Sequence, residues 1–222
     1  MATRHIIFDW DGTLMDSTPR IVAAMQATAR SLELTVPEDD AVKHIIGLSL
    51  PRAYQDLFPG APSEHYESFF NEYRFQYLEG CAVPSPMFEG AEQVLHSCIN
   101  QGYNLAIATG KARIGLDRVL QESALAHYFV DSICADEAEG KPHPDMLLQL
   151  LQRNNWLAEQ CIMVGDTAHD IKMAQAAGIT AIGVSYGAHT LENIVAHEPD
   201  SILHDIRELT DYLANRMTQS SI

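Results

Sequence analysis

Basic residues are scarce in this chain of 222 residues. Lysine and arginine together number 14 against 30 aspartates and glutamates, a formal charge of -16. A broad nucleic-acid footprint needs a basic face, and an anionic membrane surface attracts the same kind of charge. Neither partner is expected here. Most of the acids read as solvated surface that aids solubility. Long apolar runs are missing too: none approaches the ~20 residues of a membrane span. The N-terminal stretch reaches Asp9 and Asp11 after a few apolar residues, so no signal peptide is expected. Cysteine is sparse, with 4 residues and no CxxC, and the 10 histidines show neither HExxH nor zinc spacing. Cys134 and Cys161 lie in apolar runs and read as buried thiols in a reducing cytosol. A cytoplasmic protein is therefore expected. There is no internal repeat and no low-complexity tract.

What the chain does have is ordinary globular material: 46% hydrophobic and 20% charged residues. A chain of this length buries about 70% of its unfolded surface without disulfide or zinc staples. Short apolar runs at residues 5–9, 104–109, 131–134, 161–165 and 180–184 lack polar alternation. Strands buried on both faces of a parallel sheet have this look. A weaker run lies at 201–203. Helical patterns fill the gaps at 90–100, 115–122, 145–154 and 170–177, the last stopped by Gly178. Alternating strand and helix predicts an α/β doubly wound parallel sheet.

One region breaks the alternation. Residues 16–82 hold no convincing strand and read as four helices, 18–32, 37–46, 51–58 and 64–78, punctuated by Gly47, Pro59-Gly60 and Gly80. The expected organisation is a core of 1–15 and 83–222 with an all-helical insert at 16–82. Val83-Pro-Ser-Pro86 reads as a stiff return hinge. Phe69, Phe70, Tyr73 and Tyr77 recur at helical spacing and read as a core stripe.

Ligands of doubly wound sheets sit beyond the carboxyl ends of the strands. Those ends carry Asp9-Trp-Asp11-Gly-Thr13, then Thr109-Gly110-Lys111, then a loop with Lys141, then Gly165-Asp166-Thr167 with Asp170 at a helix start. A carboxylate can attack phosphorus and form an aspartyl-phosphate, splitting hydrolysis into two easier steps. Asp9, at the strand end, suits that role. Asp11, two residues on, can protonate the leaving oxygen and later deprotonate water. Asp166 and Asp170 can hold a hard divalent cation such as Mg2+. Thr109, the Gly110 amide and Lys141 can hold phosphate oxygens. Three carboxylates and a phosphate dianion outweigh Mg2+ and Lys141, so Asp11 is expected to carry a proton when substrate binds.

Phe8-Asp-Trp-Asp-Gly-Thr-Leu14, Ala108-Thr-Gly-Lys111, Lys141-Pro-His-Pro144 and Val164-Gly-Asp-Thr-Ala-His-Asp170 resemble, in order and spacing, the four signature motifs of the haloacid dehalogenase superfamily. The insert is similar to that family's small helical cap. Residues 170–179 and 182–187 resemble its phosphoglycolate phosphatase branch. The resemblance implies a Rossmann-like core, Mg2+ dependence, Asp9 as nucleophile and Asp11 as general acid/base. It implies metal ligation by the Asp9 carboxylate, the Asp11 carbonyl and Asp166, with Asp170 in support. The expected activity is hydrolysis of a small phosphorylated metabolite, phosphoglycolate-like. Gly110 departs from the branch, where many members carry Asn. Asp11 argues against dehalogenases and phosphonatases, which lack that second acid.

Three further readings complete the sequence. A sugar phosphomutase of the same superfamily often carries Arg directly after Gly-x-Ser in the cap; here Arg52 comes two places later, in Gly47-Leu-Ser-Leu-Pro-Arg52. Arg52 is instead expected to recognise the substrate remote from phosphorus, by pairing with a carboxylate. Finally, Gly183-Val-Ser-Tyr-Gly187 matches the GxSxG elbow of serine hydrolases. Only 37 residues follow Ser185, too few for the usual acid and histidine strands.

Overall fold

The computed structural model of the protein describes residues 3–219. Residues 1–2 and 220–222, counted with the core above, lie outside the described residues. Six strands form one sheet in the order β3-β2-β1-β4-β5-β6. They are β1 (His5–Phe8), β2 (Asn104–Thr109), β3 (Phe129–Cys134), β4 (Cys161–Gly165), β5 (Thr180–Val184) and β6 (Ser201–Leu203). Every pairing is parallel. β1 is wholly buried, which is why its apolar run shows no alternation. Its pleat still sorts the side chains. Ile6 and Phe8 face one core with Leu95, Leu116 and Leu213, whereas Ile7 faces the other with Met146, Leu150 and Met173. The strand order reverses beside β1. Register sets Phe8 opposite Ile107 on one side and Val164 on the other. The residues that follow these strands therefore emerge along one edge.

A third core lies outside the sheet. It joins α1 (Thr18–Ser31), α2 (Asp39–Ile45), α3 (Leu50–Leu57) and α4 (Tyr66–Phe75) through Met25, Val42, Tyr54, Phe58 and Phe69. Phe69 is fully buried, and its truncation to Ala would cost roughly 3–5 kcal/mol. Pro19 fits the first turn of α1, where its missing N–H costs nothing. The helix expected over 64–78 is broken. It begins as a 3-10 turn at Ser63–His65 and ends as a π-helical turn, Gln76–Gly80. Arg20 reaches the carbonyls left there, donating to Tyr77 O at 2.8 Å and Leu78 O at 3.4 Å. The two passages between the helical bundle and the sheet run side by side. Asp16 N donates to Pro86 O at 2.8 Å, and Phe88 N to Leu14 O at 3.0 Å.

α5 (Ala91–Asn100), α6 (Arg113–Ser123), α7 (Asp145–Asn154) and α8 (Ala168–Ala176) connect the strands. α9 (Leu191–Val195) and α10 (Glu208–Gln219) were not legible as helices. No helix of the described residues is long and apolar enough to cross a membrane. The free thiols Cys98, Cys134 and Cys161 are buried and Cys81 is half-buried.

Candidate active site

The chain leaves β1 at Asp9, whose amide still donates to Val164 O at 2.9 Å. Sheet hydrogen bonding therefore fixes the backbone that carries the carboxylate. Gly12 then turns at φ +79, and a Cβ there would lie 2.1 Å from an Asp166 carboxylate oxygen. Only glycine lets this turn close over Asp166. Thr13 Oγ1 donates to Asp166 Oδ1 at 2.9 Å and Ala188 N to Oδ2 at 2.7 Å. Asp170 is held by a helix start: Thr167 N and Oγ1 both donate to its Oδ2, at 3.1 and 2.7 Å, and its own amide returns a bond to Thr167 Oγ1. This reciprocal capping arrangement leaves Asp170 Oδ1 free to face inward.

Asp9, Asp166 and Asp170 are all at most 1% exposed, and one ligand oxygen from each lies within 4.8 Å of the others. Lys141, itself buried, places Nζ 2.8 Å from Asp9 Oδ1 and 2.6 Å from Asp170 Oδ1. At these distances the ammonium bonds both carboxylates with charge assistance. Asp9 Oδ2 has no partner. Burial raises the Asp9 pKa to about 7, against the pull of Lys141 and with the repulsion of Asp170. Burial, and then Asp9 and Asp170, raise that of Asp166 well above the carboxylate range. Burial works against the Lys141 ammonium, but Asp170 and Asp9 outweigh it and hold the charge on. Three buried carboxylates with one lysine are short of positive charge. Their oxygen-only donor set, with Asp9 Oδ2 unpartnered, fits a hard divalent cation.

Asp11 sits beside this cluster. It accepts from Ser17 Oγ at 2.5 Å and pairs with Lys111 Nζ at 2.9 Å. Lys111 also lies over the Tyr77 ring, 5.2 Å from its centroid. Asp11 and Tyr77 together hold the Lys111 charge on despite burial. This bridge from core to helical insert was not foreseen; its only trace in the sequence is the lysine directly after Thr109-Gly110. Thr109 is fully buried, and its Oγ1 accepts from Lys111 N at 3.3 Å. Gly110 joins Asp9, Asp11 and Lys111 in the wall of a cleft of about 790 Å3 between sheet edge and helices. Most of the expected residues thus share one edge: Asp9, Asp11, Thr109, Gly110, Lys141, Asp166 and Asp170.

Arg52 does not line the cleft. Its Nε bonds Asp56 Oδ2 one helical turn on, at 2.9 Å, and its side chain is 64% exposed. Leu50, Pro51 and Ala53 line the wall instead, so the helix turns the guanidinium away. In the aromatic stripe Phe69 and Tyr77 are helical core with Tyr73 packed against them; Tyr73 and Tyr77 also line the cleft, and Phe70 lines it alone.

The Ser185 motif also has a partner: Ser185 Oγ lies 2.7 Å from His204 Nδ1 on an exposed face. Glu208 accepts from the His204 backbone amide rather than its ring. A triad needs a third group orienting the imidazole, and no hydrogen bond or ion pair of the described residues supplies one.

The model of the family described as haloacid dehalogenase-like hydrolase matches residues 6–184. The chain is 36% identical over 208 residues to the probable phosphatase IndB of Dickeya dadantii, covering 92% of this chain and 90% of that one. It is 29% identical over 212 residues to a phosphoglycolate phosphatase of Colwellia psychrerythraea, covering 92% and 94%. A solved haloacid dehalogenase-like hydrolase from Bacteroides fragilis superposes with a TM-score of 0.86 at 26% identity, over 93% of this chain and 99% of that one.

Proposed function

The chain belongs to the haloacid dehalogenase-like hydrolases, and on that premise we propose that it is a Mg2+-dependent phosphatase that hydrolyses a small phosphate monoester through an aspartyl-phosphate. The observation that carries the reading is Asp9: a buried carboxylate on backbone the sheet fixes, with Oδ2 unpartnered and two more acids within 4.8 Å. Such an oxygen is a nucleophile once the charge of the cluster is balanced. The relatives named as phosphatases support the reaction class. The phosphoglycolate phosphatase name supports a small, phosphoglycolate-like substrate.

In the proposed reaction an Asp9 oxygen bonds to phosphorus as the ester P–O bond breaks. Asp11 gives its proton to the departing alkoxide. Asp11 then takes a proton from water, whose oxygen attacks the same phosphorus and breaks the bond to Asp9. Inorganic phosphate leaves and Asp9 is restored. Lys111 pairs with Asp11 before substrate enters, and it must yield as the leaving group arrives. Lys141 stays against Asp9 and neutralises equatorial oxygens, with Thr109 and the Gly110 amide on the other side. The Asp9 and Asp166 carboxylates and the Asp11 carbonyl would hold Mg2+, supported by Asp170; when bound it neutralises phosphoryl charge and fixes the in-line approach. Residues 16–82 act as the cap that covers this edge.

Phosphate release from small monoesters with Mg2+ and with EDTA tests the reading. Asp9→Asn should lower kcat by at least ~10^3, and beryllium fluoride should be trapped on this carboxylate. Full turnover in EDTA, or an Asp9→Asn variant close to wild type, overturns it.

A further inference from the structure

The cleft beside Asp9 is far larger than a two-carbon alcohol requires, and most of its wall is apolar. At ~30 Å3 per water-sized group, about 790 Å3 holds on the order of 25 such groups. Met25 and Ile45 form part of the wall, and α4 turns Tyr66, Phe70 and Tyr73 onto it, continued by Tyr77. Their spacing of four, three and four residues puts all four rings on one helical face. Tyr66, Tyr73 and Tyr77 are also built into the helical core. Phe70 is not: it belongs to no core cluster of the described residues, and its one ring neighbour is Tyr66 at 6.3 Å. A half-buried phenyl that serves no core, facing a cleft at a reaction centre, is a stacking surface without its partner. Burial holds the Tyr73 phenol protonated, so the wall is uncharged there.

The charged groups point the same way. A carboxylate close to phosphorus would need a free cation near Asp9. Lys141 is taken by Asp9 and Asp170, and Lys111, once it yields Asp11, still lies over the Tyr77 ring. Arg20 is spent on three backbone carbonyls. Arg118 lines the cleft and faces Glu122 at 3.5 Å and the Tyr77 ring at 5.7 Å. Arg74 lines the cleft but is exposed, at its rim. Two further acids, Asp117 and Asp136, line the wall and offset the charge of Arg74 and Arg118. Uncharged donors and acceptors remain in Ser49, Gln121 and the tyrosine hydroxyls.

We propose that the alcohol released by this enzyme is bulky and uncharged and carries a flat aromatic ring that stacks on Phe70, nucleoside 5′-monophosphates being the substrate class that fits. The ring would lie on the α4 face and phosphorus at Asp9, both in the wall of the one cleft. This inference rests on the phosphatase reading above and narrows its substrate away from phosphoglycolate.

The test uses the Mg2+-loaded full chain and six substrates: AMP, GMP, CMP, UMP, phosphoglycolate and acetyl phosphate. At least one nucleotide should exceed phosphoglycolate in kcat/KM by ~10-fold or more. Phe70→Ala should cost that nucleotide about 5- to 150-fold, the range of one lost base-on-aromatic stack, while acetyl phosphate turnover changes less than about 2-fold. Phe70→Tyr, which keeps a ring face, should restore most of the loss. Phosphoglycolate as the best substrate overturns the inference and leaves the phosphatase standing, the more so if Arg74→Ala abolishes it. Equal losses on nucleotide and acetyl phosphate in Phe70→Ala also overturn it. Silence on all six, acetyl phosphate included, overturns the phosphatase reading itself.

Discussion

Gly110 lies directly against the backbone of Gly47: a Cβ at position 110 would sit 2.5 Å from the Gly47 carbonyl oxygen and 2.8 Å from that of Leu48. The first belongs to the sheet edge that carries Asp9, the second to the loop between α2 and α3. The helical insert therefore rests on the Thr109-Gly110 turn with no room for a side chain. Both obstructing atoms are backbone, so no rotamer change relieves the contact. Gly110→Ala should push the 47–49 loop away from the sheet edge. The expected result is a fall in kcat of ~10-fold or more, with faster hydrogen exchange over 47–50 and a stability loss of about 1–3 kcal/mol. Unchanged exchange in that loop would show that the bundle does not need this contact. The contact also gives a physical account of glycine where phosphoglycolate phosphatases often carry Asn.

Arg52→Ala should leave kcat/KM within about 2-fold on every substrate. The guanidinium turns outward to Asp56, and an exposed helical pair of this kind is worth about 0.3–0.5 kcal/mol. Thermal unfolding should register that small loss. A fall of 10-fold or more in kcat/KM would mean that Arg52 swings into the cleft during turnover.

The sheet was legible because strands buried on both faces spell themselves as apolar runs, and the site was legible because strand ends are where such runs stop. Asp9, Thr109 and Asp166 each follow their strand by at most one residue or end it. The helical insert was legible as helices but not as a wall. Phe69 and Phe70 are adjacent in sequence and share a hydropathy, yet one fills a core and the other faces a cleft. Period alone cannot separate those fates, because the inner face of an insert and its cleft face are both apolar. The same limit applies to Arg52: its loop meets the sheet edge at Gly110 while its side chain turns outward to Asp56. Lys111 shows the reverse case: its position was visible, but its ties to Asp11 and Tyr77 join segments remote in sequence.

Ser185→Ala should leave phosphate release close to wild type. The hydroxyl bonds His204 at 2.7 Å on an exposed face, and losing one such bond costs about 0.5–1.5 kcal/mol of stability at most. Esterase assays with p-nitrophenyl acetate should detect no Ser185-dependent turnover. A collapse of either activity in the variant would assign the serine a chemical role.

The carboxylate cluster makes a prediction about stability that does not depend on turnover. Asp9, Asp166 and Asp170 crowd their charge into a buried space where, among the described residues, Lys141 is the one cation within ion-pair reach. A divalent cation that binds the folded chain and not the unfolded one stabilises it by mass action, about 2.7 kcal/mol at one hundred times its Kd. For a chain of this size each kcal/mol moves Tm by roughly 2–4 °C, so saturating Mg2+ should raise Tm over EDTA by roughly 5–10 °C. Ca2+ should also raise Tm, because it takes the same oxygen donors, but it should restore little turnover with its longer and looser shell. Asp9→Asn is the informative variant. The substitution removes one of three crowded carboxylate charges while Asp170 keeps Lys141 paired, so the amide should fold as well as wild type in EDTA. Its Mg2+-induced rise in Tm should shrink to less than half. A full rise in Asp9→Asn would place the cation elsewhere, and no rise in the wild-type chain would remove the metal from the mechanism.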